Sequence, residues 1–175
     1  MVRYADDFVI LCQNKSDAES ALTLVQQWTQ IQELELHPDK THMGNCLEQE
    51  QGFEFLGYRF EGGKRYIRPK SLKALKDKIR QKTKRNCGKS LNFVIDTLNS
   101  MLRGWFEYFK HGQRKLFKYL DGFIRRRLRS ILCKYNGKSI FGKSKAIHRR
   151  WPNIFFAKRG LFTLYEAHIA ACQSR

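Results

Sequence analysis

Three things are scarce in this 175-residue chain: long apolar runs, paired cysteines and, in its second half, acidic side chains. The longest clear apolar run is Phe8-Val9-Ile10-Leu11-Cys12, far short of the roughly 18 residues needed to span a bilayer. A transmembrane helix is excluded. Asp6 and Asp7 interrupt the N-terminus before any apolar segment could form, so these residues do not look like a signal or transit peptide. The five cysteines (Cys12, Cys46, Cys87, Cys133, Cys172) are odd in number, lie at least 34 residues apart and form no Cys-x-x-Cys. That argues for reduced thiols, a cytoplasmic setting and no structural zinc. His37, His42, His111, His148 and His168 are scattered without metal-ligand spacing, so no zinc or histidine-based nuclease module is visible.

What is abundant is positive charge. Against 16 Asp and Glu stand 34 Lys and Arg, a formal net charge of +18, which points first to a polyanionic partner and only second to acidic substrates or membrane surfaces. At 42% hydrophobic and 13% aromatic the chain has too much apolar side chain to be a disordered basic tail. The charge is also unevenly placed. Residues 1–60 hold four basic and ten acidic side chains, and residues 61–175 hold thirty basic and six acidic. Such a split predicts two modules, one gathering carboxylates and one gathering phosphate contacts, with a boundary near Arg68-Pro69-Lys70. Nucleic acid is the expected partner of the second.

The first module reads as strands around one helix. Val2-Arg3-Tyr4, a turn at Ala5-Asp6-Asp7 and Phe8-Val9-Ile10-Leu11 form a hairpin-like unit, because Asp favours turns and the flanks are β-branched or aromatic. Ser16 followed by Glu19 has the form of a capping box, and Ala18, Ala21, Leu22, Val25 and Trp28 recur at helical spacing, predicting a helix over about 17–32. Leu34 and Leu36 alternate with polar residues before Pro38-Asp39, predicting a short strand resumed at Thr41-His42-Met43. Phe53, Phe55, Tyr58 and Phe60 predict a second strand pattern, closed by Gly62-Gly63 and paired with Tyr66-Ile67-Arg68.

The second module changes to helical period. Leu72, Leu75 and Ile79 form a narrow apolar stripe on a lysine-crowded helix; Val94, Ile95, Leu98 and Leu102 repeat it ahead of Trp105, Phe106, Tyr108 and Phe109; Leu116 to Leu132 describe the longest amphipathic helix. A Gly/Ser/Lys loop is expected over 136–145, and Thr163 with Glu166 resembles a second capping box opening a last helix. The aromatic cluster at 105–109 reads as core. Lys73, Lys76, Lys84, Arg85, Arg125, Arg126 and Arg129 are candidates for phosphate contact, because their helices have another face for burial.

Tyr4-Ala5-Asp6-Asp7 is the sharpest chemical feature. Two-metal nucleotidyl transfer needs adjacent carboxylates on a rigid turn, holding Mg2+ ions that activate a 3′-hydroxyl and stabilise the leaving pyrophosphate. Asp-Asp is also simply a good turn. The wider context resembles the group II intron reverse transcriptases: the aspartate pair is followed by an amphipathic helix, then by Leu34-Glu35-Leu36-His37-Pro38-Asp39-Lys40-Thr41, then by a Phe-x-Phe-Leu-Gly-Tyr-x-Phe hairpin from Phe53 to Phe60. The basic half, with Leu91-Asn92, Leu102-Arg103-Gly104-Trp105, Leu120-Asp121 and Arg127-Leu128-Arg129, then Trp151 to Phe156 and Gly160-Leu161-Phe162, is similar to the maturase-specific thumb, domain X.

The resemblance implies an α+β chain: part of a polymerase palm over residues 1–68, then a helical thumb over 69–175. It implies an RNA-directed DNA polymerase that also binds intron RNA and assists splicing, with Mg2+ as cofactor and RNA template and DNA primer as further partners. Residue by residue, Asp6 becomes a metal ligand and Asp7 its neighbour; Lys40 lies near the incoming nucleotide; Phe55, Leu56 and Gly57 form the primer grip; Tyr4 lies beside the primer end. The family takes a third carboxylate and its fingers from upstream of the aspartate pair, and here only Met1 and Val2 precede Arg3-Tyr4. The expectation is a C-terminal piece that is inactive until complemented by the other half of the polymerase. Its alternatives are a non-catalytic RNA-binding maturase module or an inactive remnant.

Overall fold

A computed structural model describes residues 1–86, 88–137 and 144–173. The chain divides into two compact units, Met1–Tyr66 and Ile67–Arg175.

In the first unit, β1 (Val2–Tyr4) and β2 (Asp7–Val9) form a two-stranded antiparallel hairpin. Val2 pairs with Val9, Arg3 with Phe8 and Tyr4 with Asp7, which leaves Ala5 and Asp6 as a two-residue turn. Helix α1 (Lys15–Ile31) begins earlier than its sequence signal, because the cap is Asn14 and not Ser16. The Asn14 side chain accepts from the Asp17 backbone N–H at 2.8 Å and donates to the Asp17 carboxylate at 2.9 Å. Asparagine caps at least as well as serine, so the capping pair forms two residues upstream, and Glu19 is left to face Lys15 at 3.6 Å. The helix ends in a Schellman arrangement: Glu33 takes φ +54, its N–H reaches the Gln30 carbonyl, and the Leu34 N–H reaches the Thr29 carbonyl at 2.9 Å.

That cap corrects the strand expected at Leu34–Leu36. The Leu34 amide is already committed to the helix end, Pro38 and Asp39 turn the chain two residues past Leu36, and no strand forms at 34–36 or at 41–43. Two leucines in alternation offer too short an apolar face to hold a ladder, and Leu34 and Met43 are exposed.

A three-stranded antiparallel sheet of order β3-β4-β5 follows: β3 Phe53–Phe55, β4 Tyr58–Glu61 and β5 Lys64–Ile67. Phe53 pairs with Phe60, Glu54 with Arg59 and Phe55 with Tyr58. Period-two geometry therefore puts the aromatics on one face, where Phe53 and Phe60 stack with centroids 5.1 Å apart, and Glu54, Arg59 and Glu61 on the other. Segment 46–50 braces the sheet. The Gly62 and Gly63 amides donate to the Glu48 and Cys46 carbonyls, and Glu61 accepts both Arg59 and the Glu50 N–H.

The second unit is helical: α2 Pro69–Lys82, α3 Leu91–Phe109, α4 Arg114–Tyr135, α5 Lys145–Arg150, α6 Asn153–Ala157 and α7 Leu164–Gln173. Pro69 opens α2 at a position that needs no N–H donor, and Ser90 caps α3 through the Phe93 amide. The apolar stripes read from the sequence converge: Leu75 and Ile79 from α2, Ile95, Leu98 and Leu102 from α3, and Phe117, Leu120, Ile124, Leu128 and Ile131 from α4 are all buried, together with Phe156 and Leu164. In the aromatic cluster, Phe106 and Phe109 are buried and Trp105 is half-buried against Phe109, but Tyr108 is exposed.

The start of α7 differs from the expected Thr163–Glu166 capping box. Its first amides, Leu164 and Tyr165, donate to the two carboxylate oxygens of Asp121 on α4, each at 3.0 Å. The cap comes from another helix, a long-range partner that local spacing could not reveal. His168 donates through Nδ1 to the Lys110 carbonyl at 3.0 Å and seats its ring against Phe117, adding a second tie. Of the loop expected at 136–145, residues 138–143 lie outside the described residues, as does Cys87. Cys12, Cys46, Cys133 and Cys172 are free thiols. Among the described residues no helix is long and apolar enough to cross a membrane.

Candidate active site and nucleic-acid interface

The β1–β2 turn presents Asp6 within the turn and Asp7 as the first residue of β2, both exposed. Ala5 before them takes φ +50, a left-handed conformation that L-residues other than Asn or Asp rarely adopt. The turn is held from its own strand, with Arg3 Nε donating to the Ala5 carbonyl at 2.9 Å. Tyr4 stands opposite Asp7 and is 65% exposed, so it does not fill a core. Two adjacent carboxylates on a short hairpin are hard oxygen donors suited to Mg2+, a cation that commonly takes one or two carboxylates and completes its shell with water and substrate phosphate. Among the described residues no group of three His, Cys, Asp or Glu gathers there or elsewhere to hold a metal ion.

Lys40 ends the Pro38-Asp39 turn, where its amide and that of Thr41 both reach the His37 carbonyl, and its side chain is exposed. Phe55, Leu56 and Gly57 are the end of β3 and the turn into β4. Leu56 and Gly57 take φ +47 and +79, the pair of left-handed residues that a two-residue hairpin requires. Glycine meets that need freely and leucine does not. Both candidate turns of the first unit thus carry an apolar side chain in a left-handed conformation. The carboxylates and the 55–57 turn occupy tips of two separate sheets.

In the second unit the basic candidates separate by environment. Lys73, Lys84 and Arg126 are exposed, and Lys76, Arg85 and Arg125 are half-buried. Arg129 corrects the expectation outright. It is 2% exposed, donates to the Trp151 carbonyl at 2.9 Å and to Asn153 Oδ1 at 2.8 Å, and lies over the Phe156 ring. It joins α4 to the start of α6 and has no face left for phosphate. Burial, followed by the charge of Arg125, pushes its guanidinium below the ordinary arginine value.

Arg127 was not among the expected contacts. Its guanidinium donates to Thr83 Oγ at 3.0 Å and to the Thr83 carbonyl at 2.7 Å, tying α4 to the C-terminus of α2. Burial, and behind it the guanidiniums of Arg80, Arg126 and Arg85, lower its pKa. The available signal was buried Thr83, a polar residue on the apolar side of α2 that needed partners.

Two family models match successive parts of the chain. Residues 1–60 match the family model of reverse transcriptase (RNA-dependent DNA polymerase), and residues 72–152 match that of the group II intron, maturase-specific domain. No curated protein matches the chain. A reverse transcriptase segment carrying the carboxylate hairpin, followed in order by a helical maturase-specific domain, makes this chain a member of the group II intron reverse transcriptase/maturase family.

Proposed function

We propose that the first unit contributes the carboxylate turn and primer grip of an RNA-directed DNA polymerase, and that the second holds intron RNA and the template–primer. The observation that carries the reading is the Tyr4-Ala5-Asp6-Asp7 turn, with its strained Ala5 and two exposed adjacent carboxylates, inside a reverse transcriptase match. Asp6 and Asp7 would hold magnesium, which when bound supplies Lewis-acid activation of a 3′-hydroxyl and charge neutralisation on departing pyrophosphate. Lys40 adds an ammonium to neutralise or protonate that leaving group. Tyr4 packs beside the primer end, and the Phe55-Leu56-Gly57 turn lets nucleic-acid backbone approach a position without a side chain. Lys73, Lys76, Lys84, Arg85, Arg125 and Arg126 meet phosphate. Among the described residues no third carboxylate joins Asp6 and Asp7, so in this reading a further carboxylate is supplied by another polypeptide segment. The reduced thiols fit a cytoplasmic, RNA-associated protein.

The test is primer extension on an RNA template, using the 175-residue chain alone and mixed with a polypeptide carrying the fingers and upstream aspartate of the family. Extension is expected only in the mixture and is expected to vanish with Asp6→Asn. Extension by the chain alone, or an Asp6→Asn mixture as active as wild type, contradicts the reading.

A further inference from the structure

Along the seam between α2 and α4 the cations are held in place by aromatic rings. Lys76 Nζ lies 4.8 Å from the centroid of Tyr119. One turn further on, Arg80 and Arg126 both lie over Phe123, at 5.6 and 5.4 Å. Residues 76 and 80 are four apart on α2, as are 119 and 123 on α4, so the same pairing repeats after about 6 Å of helix axis. Behind this row Arg127 fixes the end of α2 through Thr83. Arg80 also holds the Asp77 carboxylate. Tyr119 is 58% exposed and Phe123 is buried, so the outer ring can still reach a ligand and the inner one serves as a platform.

Most exposed lysines and arginines lose side-chain freedom when they meet phosphate. Cations already set over rings lose less, and a repeat of about 6 Å is a step of the order of one nucleotide of backbone. We infer that the α2–α4 seam is a track for the sugar–phosphate backbone of single-stranded RNA, with Lys76, Arg80 and Arg126 as its contacts and Tyr119 as a base-stacking edge. Arg127 is a positioning residue. The inference deepens the proposed RNA-binding role of the second unit and rests on it. RNA is favoured over an acidic polypeptide because stacked cations beside an exposed tyrosine suit a ligand that has both phosphates and bases.

The test measures binding of a fluorescent 20-nucleotide poly(U) RNA to the full chain across a potassium chloride series. Lys76→Gln and Arg80→Gln are each expected to weaken binding several-fold and to reduce the slope of log K against log salt by about 0.7, the increment for one single-strand phosphate contact. Tyr119→Ala should weaken binding without changing the slope. Lys145→Gln removes the same charge from exposed α5 and should change little. Circular dichroism of each variant separates lost contact from lost folding. Unchanged affinity and slope in folded Lys76→Gln and Arg80→Gln overturn the track and leave the RNA-binding reading standing. So does an equal loss in Lys145→Gln, or displacement of RNA by poly-glutamate at matched charge concentration. A wild-type chain that binds no RNA, poly(U) or folded intron, overturns the reading beneath it.

Discussion

Two alkyl side chains sit where glycine or asparagine would be easier, Ala5 at φ +50 and Leu56 at φ +47, each at the tip of a hairpin proposed for chemistry or primer contact. Strain of this kind persists when the surroundings over-determine it and gathers at functional turns. Ala5→Gly should therefore stabilise the β1–β2 hairpin by up to about 1 kcal/mol, read as slower amide exchange at Phe8 and Val9. Faster exchange would mean that Ala5 is not strained in solution. Asp121 is the second residue whose environment decides its behaviour. Burial, opposed by the amides of Tyr165 and Leu164, raises its pKa above the ordinary 3.8. The folded protein then holds that proton more tightly than the unfolded chain, so its contribution to stability is full below 3.8 and declines as pH rises through the raised value. Denaturant melts at a series of pH values should show wild type losing ground to Asp121→Asn, which does not titrate, as pH increases. Wild type gaining ground would reverse the sign and refute the argument. The carboxylate turn was legible as residue types in order, but the separate fates of Arg126 and Arg129 were not. Which arginine on α4 meets α6 depends on a segment more than twenty residues away.

Among the elements, α1 begins and ends by local rules. The Asn14 cap lies two residues from the expected one, and Asn14→Ala should cost about 1 kcal/mol of helix stability, visible as a lower melting temperature. Ser16→Ala should cost far less, and a larger loss at Ser16 would restore the sequence-based cap. Its apolar stripe shows what an element cannot decide alone: Ala18, Ala21, Leu22 and Val25 are half-buried, but Trp28 at the same spacing is exposed, as are Leu24 and Ile31 outside the stripe. Helices α3, α4 and α7 depend on one another instead. Phe117 is fully buried against Trp105, Phe106 and His168, and Phe117→Ala should destabilise the helical unit by about 3–5 kcal/mol and expose the α7 amides to exchange. An unchanged melting temperature would show that this cluster is not the core.

At the scale of the molecule, the acidic first 60 residues and the strongly basic remainder are the charge division on which the proposed phosphate binding by the helical unit rests. RNA affinity should therefore fall steeply with salt, on the order of a thousandfold between about 50 and 200 mM if about six phosphates are met. Isothermal or fluorescence titrations at several salt concentrations give the slope directly, and a flat dependence would exclude phosphate neutralisation as the source of affinity.

The amino-acid order alone determined the helical period after residue 69, the aromatic face of the 53–60 hairpin and the aspartate turn, because turn chemistry and hydrophobic period act within a few residues. Tertiary structure alone decided that Asp121 caps α7, that Arg129 is buried, that Arg127 ties α4 to α2, and that Lys76 and Arg80 lie over rings from another helix. Those outcomes join residues about 20 to 45 positions apart in the chain. The first three follow from the need to satisfy buried polar groups where packing places them, and the last from which rings packing brings beside the cations of α2; no local pattern encodes either.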